Sequence, residues 1–149
     1  MSLEMVGEPA AGRVHRGSRR VRLADVAPDG TLRLEAVARY LQDVASDDVA
    51  DAGAEGDAVW VARRTTLAVS DARMPRLGDP VDLATWCSGT GAAWAERRST
   101  VSAGGDAVVE AVSLWVCLDP QTLRPQALVP RFFEIYGEAA GARTVRPRL

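Results

Sequence analysis

The sequence predicts a single α+β domain in which one long helix packs against an antiparallel sheet. The chain has 149 residues, and because domains run to roughly 100–200 residues its length fits one domain. Residues 32–52 carry apolar side chains at helical spacing. Four later segments alternate between apolar and polar residues, and the last three are separated by short glycine-containing breaks, as in antiparallel hairpins.

The first predicted elements are a strand over residues 20–26, a turn at Pro28-Asp29-Gly30 and the long helix over residues 32–52. Gly53 is placed to end this helix. The apolar stripe that we expect to face the sheet consists of Leu34, Val37, Leu41, Val44, Ala45, Val49 and Ala52.

After the helix, apolar and polar residues alternate with a period of two, which predicts strands. Strands are predicted over residues 59–69, 81–88, 92–101 and 108–118, and a short helical segment over 130–136. Residues 18–137 form the predicted domain, with a flexible N-terminal tail at 1–17 and a C-terminal tail at 138–149. Because one helix cannot cover both faces of such a tryptophan-rich sheet, we expect a dimer.

Composition excludes several kinds of chemistry. All 18 basic residues are arginine, so a lysine nucleophile is impossible, and His15 is the single histidine. Ser-His-Asp and Cys-His mechanisms, or a histidine-rich metal site, would therefore need a partner chain. Cys87 and Cys117 form no CxxC pair, and we predict buried free thiols in a reducing compartment. No metal or redox cofactor is expected.

Charge and hydropathy also limit the partners. No apolar run approaches the ~18 residues of a membrane helix, and the N-terminus has no hydrophobic signal core. We therefore expect a cytoplasmic protein without a membrane partner. The arginines within residues 13–22 invite a nucleic-acid interpretation, but the net charge of −2 and the lack of interleaved aromatics favour a solvated tail. No nucleic-acid partner is expected.

Several segments resemble the N-terminal hot-dog half of acyl-[acyl-carrier-protein] thioesterases. They are YLQDVA running into DDVADAG (residues 40–53), WVARRTTLAV (60–69), RMPRLGDPVDLATWCSG (73–89), AWAERRSTV (93–101) and VVEAVSLWVCLDPQTLRP (108–125). The most specific element is the strand–Pro–x–x–Gly–Asp–strand block. The resemblance, which covers residues 20–136, implies a single hot-dog domain whose long central helix is wrapped by an antiparallel sheet of about five to six strands. It also implies a homodimer or tetramer acting on an acyl thioester of acyl-carrier protein (ACP) or coenzyme A (CoA).

The same resemblance suggests where catalysis lies. In two-domain members, Asp, Asn and His on the second half carry it, and this chain stops after one half without a corresponding histidine. A second copy, a separate catalytic chain or loss of catalysis are the open alternatives. Histidine-independent hot-dog thioesterases use a helix carboxylate in a Leu–Ala–Asp/Glu motif, which Leu41-Gln42-Asp43 resembles. Asp43 is thus the candidate general base or nucleophile, with Gln42 as a polar positioner. The backbone N–H groups of Leu34 and Glu35 would hold the oxyanion.

Each carboxylate on the helix has a simpler alternative. A helical wheel places Asp43 opposite the apolar stripe and four residues from Arg39 and Asp47, which is also typical of a solvated face. Asp48 falls on the stripe, where an uncompensated charge is costly. We therefore expect Asp48 either to pair with an arginine or to lie at a frayed helix end.

The remaining candidate substrate-binding residues are three tryptophans and an arginine. The tryptophans that either line an acyl channel or pack as core and interface are Trp60, Trp94 and Trp115. Arg64, from one of two arginine pairs (63–64 and 97–98), would suit the phosphates of CoA or phosphopantetheine; the alternative is cross-strand pairing with Glu96 or Glu110.

Acyl-thioester hydrolysis is the predicted function. A non-catalytic hot-dog module that binds an acyl chain or a partner protein is the main alternative, and a histidine-dependent dehydratase ranks below it.

Overall fold

The computed structural model describes residues 6–70 and 73–146, which form a five-stranded antiparallel sheet and two helices. The elements are β1 (His15–Arg20), α1 (Leu34–Asp51), β2 (Val59–Val69), β3 (Pro80–Thr90), β4 (Trp94–Ala103), β5 (Asp106–Leu118) and α2 (Pro130–Ala140). The strand order is β1-β3-β4-β5-β2, so that β1 and β2 are the edge strands. The predicted neighbours β3–β4 and β4–β5 are confirmed as antiparallel pairs.

Helix α1 packs its apolar stripe on one face of the sheet, here called the inner face. Val37, Tyr40, Leu41 and Val44 are buried there, in one cluster with strand residues such as Val101. The buried part of the stripe begins later along α1 than predicted. Leu34 is 50% exposed, because it is the first residue of α1 and lies beyond the apolar cluster.

The first strand lies earlier in the chain than predicted. β1 comprises His15–Arg20, whereas Leu23–Asp25 forms a 3₁₀ turn and Leu23 is 76% exposed. The side chains of β1 are almost all polar, so hydrophobic alternation does not reveal it. The strand is defined instead by its backbone pairing with β3, from His15 opposite Thr85 to Arg20 opposite Pro80.

A buried carboxylate fixes the chain between β1 and α1. Asp25 is 3% exposed and accepts hydrogen bonds from the Tyr40 hydroxyl, the Arg39 guanidinium and the Arg22 backbone amide. Burial opposes ionisation of this carboxyl, but the three donors outweigh that effect and lower its pKa below 3.8. Asp25 therefore stays charged and anchors the start of the domain to α1.

Helix α2 extends four residues beyond the predicted helical segment, to Ala140. The chain after it returns to the sheet, where the Thr90 amide donates to the Arg143 carbonyl and the Val145 amide donates to the Thr90 carbonyl. Part of each predicted tail is thus placed against the domain, including residues 15–17 in β1 and residues 143–145 beside β3. Residues 1–5 and 147–149 of those tails lie outside the described residues.

The architecture confirms the prediction of a single hot-dog domain. One antiparallel sheet carries the central helix on its inner face. The second helix, α2, contributes Tyr136 and Ala140 to a separate buried cluster with Cys87 and Ala95. Two apolar clusters therefore occupy one side of the sheet, one under α1 and the other under α2.

Candidate active site

The candidate site is a cavity of about 390 Å³ between α1, α2 and the inner face of the sheet. Helix α1 contributes Ala45, Ser46 and Val49, and the loop at residues 54–58 forms part of the rim. The sheet and α2 contribute the remaining side chains, which include Trp60, Cys87, Ala95, Arg97, Trp115, Cys117, Leu128, Phe132, Ile135 and Tyr136. A volume of this size lies in the range of ligand pockets.

Aromatic side chains form much of the apolar wall. The Phe132 ring lies 5.5 Å from the ring of Trp60 and 5.0 Å from that of Tyr136, measured between centroids. Trp60 comes from β2 and the two other rings from α2, at positions one helical turn apart. The aromatic contacts thus join the helix to the sheet around the cavity.

A buried ion-pair network bounds the cavity on its inner side. Asp48 is 1% exposed, and its carboxylate lies 2.5 Å from Arg13 Nε and 2.8 Å from Arg97 Nη1. Arg13 also binds Asp51 at 2.6 Å, and Arg97 donates to the Thr85 hydroxyl. Of the two alternatives predicted for Asp48, pairing with an arginine is the one that the structure shows. The network keeps a charged side chain on the buried stripe of α1.

The hydroxyl of Tyr136 stays protonated beside this network. Burial and the nearby Asp48 carboxylate raise its pKa, and the positive charge of Arg97 opposes both, so that the pKa lies at about 12. The Arg97 guanidinium carbon lies 5.6 Å from the centre of the Tyr136 ring. Tyr136 is therefore neutral at physiological pH and contributes no charge to the cavity wall.

The two cysteines are buried free thiols, as predicted. Both line the cavity. Burial raises the pKa of Cys87 to about 11, and it also raises that of Cys117. Because the thiolate is the reactive form, a thiol with a pKa near 11 is a poor nucleophile at neutral pH. The cysteines therefore serve as apolar wall.

The residues predicted for catalysis lie on the outer side of α1. Asp43 has a side chain that is 60% exposed and pairs with Arg19 at 2.9 Å rather than with Arg39. Gln42 is also exposed, and neither residue lines the cavity. Leu34 and Glu35 stand exposed at the start of α1, whereas the α1 residues that line the cavity come from its later turns and are Ala45, Ser46 and Val49.

The predicted substrate-binding residues divide between two locations. Trp60 and Trp115 line the cavity. Trp94 does not, and its indole N–H donates instead to the Val145 carbonyl at 2.7 Å. Arg64 lies exposed on β2, next to a bulge in the pairing with β5. Of the other arginine pair, Arg97 points to the inner face while Arg98 pairs with Glu96 at 3.2 Å.

Sequence reasoning missed the contribution of α2. Phe132, Ile135 and Tyr136 all line the cavity, although the sequence assigned this segment only one or two helical turns. The spacing of these three residues, at i, i+3 and i+4, is the signal that could have identified a buried helical face. It did not indicate which surface that face would cover.

The described residues offer no metal site and no membrane-spanning helix. Residues 6–70 and 73–146 contain no group of three or more His, Cys, Asp or Glu side chains able to hold a metal ion. Neither helix within those ranges is long and apolar enough to cross a membrane.

A sheet around a central helix, with an apolar cavity between that helix, a second helix and the sheet, defines a hot-dog domain with an internal cavity. The chain belongs to the acyl-ACP thioesterase N-terminal domain family, whose family model matches residues 12–136. The matched range contains all five strands and the cavity-lining residues of both helices.

Relatives in bacteria and plants share this domain. A protein of Mycobacterium tuberculosis without an assigned function is 29% identical over 129 residues, which are 86% of this chain and 51% of that protein. The chloroplastic palmitoyl-acyl carrier protein thioesterase of Cuphea hookeriana is 28% identical over 127 residues, covering 76% and 30% of the two chains. The chain thus spans about half the length, or less, of these relatives.

A solved structure shares the fold. A candidate oleoyl thioesterase from Lactobacillus plantarum superposes with a TM-score of 0.82 at 19% identity, covering 94% of this chain and 56% of that one. At this identity the likeness supports the arrangement of helices and strands.

Proposed function

We propose that this chain acts in the cytoplasm on an acyl thioester of ACP or CoA and holds the acyl chain in the cavity between α1 and α2. The observation that carries the proposal is the cavity itself, whose wall of Trp60, Trp115 and Phe132 is suited to an alkyl chain. Membership of the thioesterase domain family supports the same ligand class. The two free cysteines fit a reducing compartment.

Hydrolysis is proposed to use the helix carboxylate. Asp43 would take a proton from water as the water oxygen attacks the thioester carbonyl carbon. The carbon–sulfur bond then breaks and Asp43 returns its proton to the leaving thiolate, so that the free acid and the thiol are released. Gln42 would orient the attacking group, and the first amides of α1, at Leu34 and Glu35, would stabilise the oxyanion. Because Asp43 lies outside the cavity, this scheme needs a second subunit to bring the thioester to the outer side of α1.

Replacing Asp43 is expected to abolish hydrolysis of acyl-CoA and acyl-ACP while the fold and the assembly stay intact. Asp43→Asn removes the base but preserves the shape of the side chain, and the loss of one general base costs about 100- to 10,000-fold in rate. Steady-state hydrolysis across a panel of chain lengths measures the effect. Asp47→Asn, on the same exposed face, is the matched control. Unchanged turnover in Asp43→Asn would remove Asp43 from the mechanism.

A non-catalytic acyl-binding module is the second candidate function. The ion pair of Asp43 with Arg19 and its separation from the cavity favour this alternative. Binding of acyl-CoA, seen as a rise in melting temperature, without turnover of any substrate in the same panel, would support the module over the hydrolase.

We also propose that two copies associate through β2. This strand is 11 residues long and lies at the sheet edge, and Val61 and Val69 on it are 46% and 47% exposed. A long edge strand with exposed apolar residues is a template for pairing with a second chain. In a tetramer, the face of the sheet opposite α1 would form the second interface, between two dimers.

Sedimentation equilibrium is expected to give twice the chain mass of 15.9 kDa, or four times in a tetramer. Val61→Lys places a charge on the proposed edge and should shift the population toward the monomer. Lysine at Leu77, which is 50% exposed in the turn before β3 and lies toward the opposite edge of the sheet, is the control. A wild-type monomer at micromolar concentration would contradict the proposal.

A further inference from the structure

We propose that Arg97, held in place by Asp48, limits the length of the acyl chain that the cavity accepts. This inference rests on the proposed function, since it assumes that an acyl chain occupies the cavity. The Arg97–Asp48 ion pair would form the floor of the cavity, and the terminal methyl group of the longest accepted chain would contact this floor.

The direction of the cavity follows from the exposure of its lining. Ser46, Glu55 and Gly56 are solvent-exposed and lie at the rim, whereas Cys87 and Tyr136 are 3% exposed and lie beside Arg97. The polar carrier of an acyl thioester remains in water at the rim, because burying it would cost free energy. The alkyl chain therefore enters with its methyl end first and extends toward the buried end.

The buried end is a polar layer between two apolar clusters. Along the inner face of β4, Ala95 belongs to the cluster under α2, and Val101 belongs to the cluster under α1. Between them lie Arg97 and Ser99, whose strand neighbours on the inner face are Cys87 and Thr85. Arg97 lines the cavity, but Thr85, Ser99 and the α1 cluster do not. The cavity thus stops where the polar layer begins.

Arg97 is a rigid floor because it is largely shielded from solvent and is hydrogen-bonded. Its side chain is 12% exposed, and Nη1 donates to Asp48 at 2.8 Å and to the Thr85 hydroxyl at 3.2 Å. Asp48 is itself fixed by Arg13. Moving Arg97 aside would leave a buried carboxylate with a missing partner, which costs more than the gain from burying another methylene. A chain that is too long is therefore excluded instead of accommodated.

The test uses a paired substitution that preserves charge balance. Arg97→Leu with Asp48→Asn removes one positive and one negative charge, shortens the floor by three heavy atoms, and leaves Arg13 bonded to Asp51. Binding of saturated acyl-CoAs with chains of increasing length is measured by calorimetry. For the wild type, affinity is expected to rise roughly fourfold per methylene and then to fall when the chain meets the floor. The paired variant should move the optimum to a longer chain by about two carbons.

Two further variants keep the test decisive. Arg97→Lys retains the ion pair with a slimmer head group and should shift the optimum in the same direction by a smaller amount. This variant provides the test if the paired variant fails to fold. Arg16→Leu with Glu8→Gln removes an exposed ion pair of 2.6 Å and should leave the optimum unchanged. An identical optimum in the wild type and both Arg97 variants overturns the inference but leaves the acyl site standing. Failure of every acyl-CoA to bind the wild type overturns the proposed function itself.

Discussion

Replacing Asp48 with alanine is expected to lower the free energy of unfolding by about 3–5 kcal/mol, the usual cost of removing one partner from a buried ion pair. Asp48 is 1% exposed and bridges Arg13 and Arg97. Arg13 keeps a second carboxylate, Asp51, but Arg97 has Asp48 as its ion-pair partner among the described residues. The variant therefore leaves a guanidinium that is 12% exposed without a counter-charge.

Urea denaturation followed by tryptophan fluorescence measures this loss as a change in midpoint at constant slope. Asp43→Ala is the matched control, since it removes a carboxylate from the exposed side of the same helix. Its pair with Arg19 is solvent-exposed and contributes less than about 1 kcal/mol. Equal effects of the two substitutions would mean that the buried network contributes no more than a surface pair.

Asp48 illustrates what the sequence could and could not predict about the site. Helical spacing placed it on the buried stripe, and the cost of burying a lone carboxylate indicated either a cationic partner or a frayed helix end. The identity of the partners could not be predicted, because Arg13 and Arg97 are 35 and 49 residues away in the chain. Arg13 moreover comes from a segment that was predicted to be a flexible tail.

The strands show the same division between local and long-range information. The strand at residues 59–69 was predicted with its exact bounds, because its β-branched and apolar residues favour extended backbone. The first strand was placed wrongly, since β1 owes its position to hydrogen bonds with β3 and not to its own side chains. Local patterns thus predicted the central elements and failed at the polar edge.

In the cavity, the residues on the sheet were easier to predict than those on α2. Trp60 and Trp115 were candidates, together with Trp94, because large aromatic side chains suit an apolar channel. Trp94 lies outside the cavity lining. Phe132 and Tyr136 complete the wall only because α2 docks on β3 after a loop of about ten residues. No local pattern specifies that docking. Whether Asp43 takes part in catalysis stays a prediction for the same reason, since a partner subunit would have to complete its surroundings.

Replacing Ala95 with phenylalanine is expected to abolish tight binding of long-chain acyl-CoA while leaving the fold intact. Ala95 is 6% exposed on β4 and lines the cavity beside Arg97 and Trp115. Because Ala95 lines the cavity, a phenyl ring at this position is expected to extend into the cavity volume and obstruct it. Each methylene that it displaces costs about fourfold in affinity, and three displaced methylenes would weaken binding roughly 60-fold.

Titration calorimetry with one long-chain acyl-CoA compares this variant with Ala92→Phe, which adds the same ring at an exposed position outside the cavity lining. The control should bind like the wild type, and both variants should unfold at urea concentrations close to that of the wild type. Retained affinity in Ala95→Phe would place the acyl chain elsewhere on the molecule. Because the substitution obstructs the space itself and removes no polar group, a loss of binding in a folded protein would assign the alkyl chain to this cavity whether or not Asp43 proves to be catalytic.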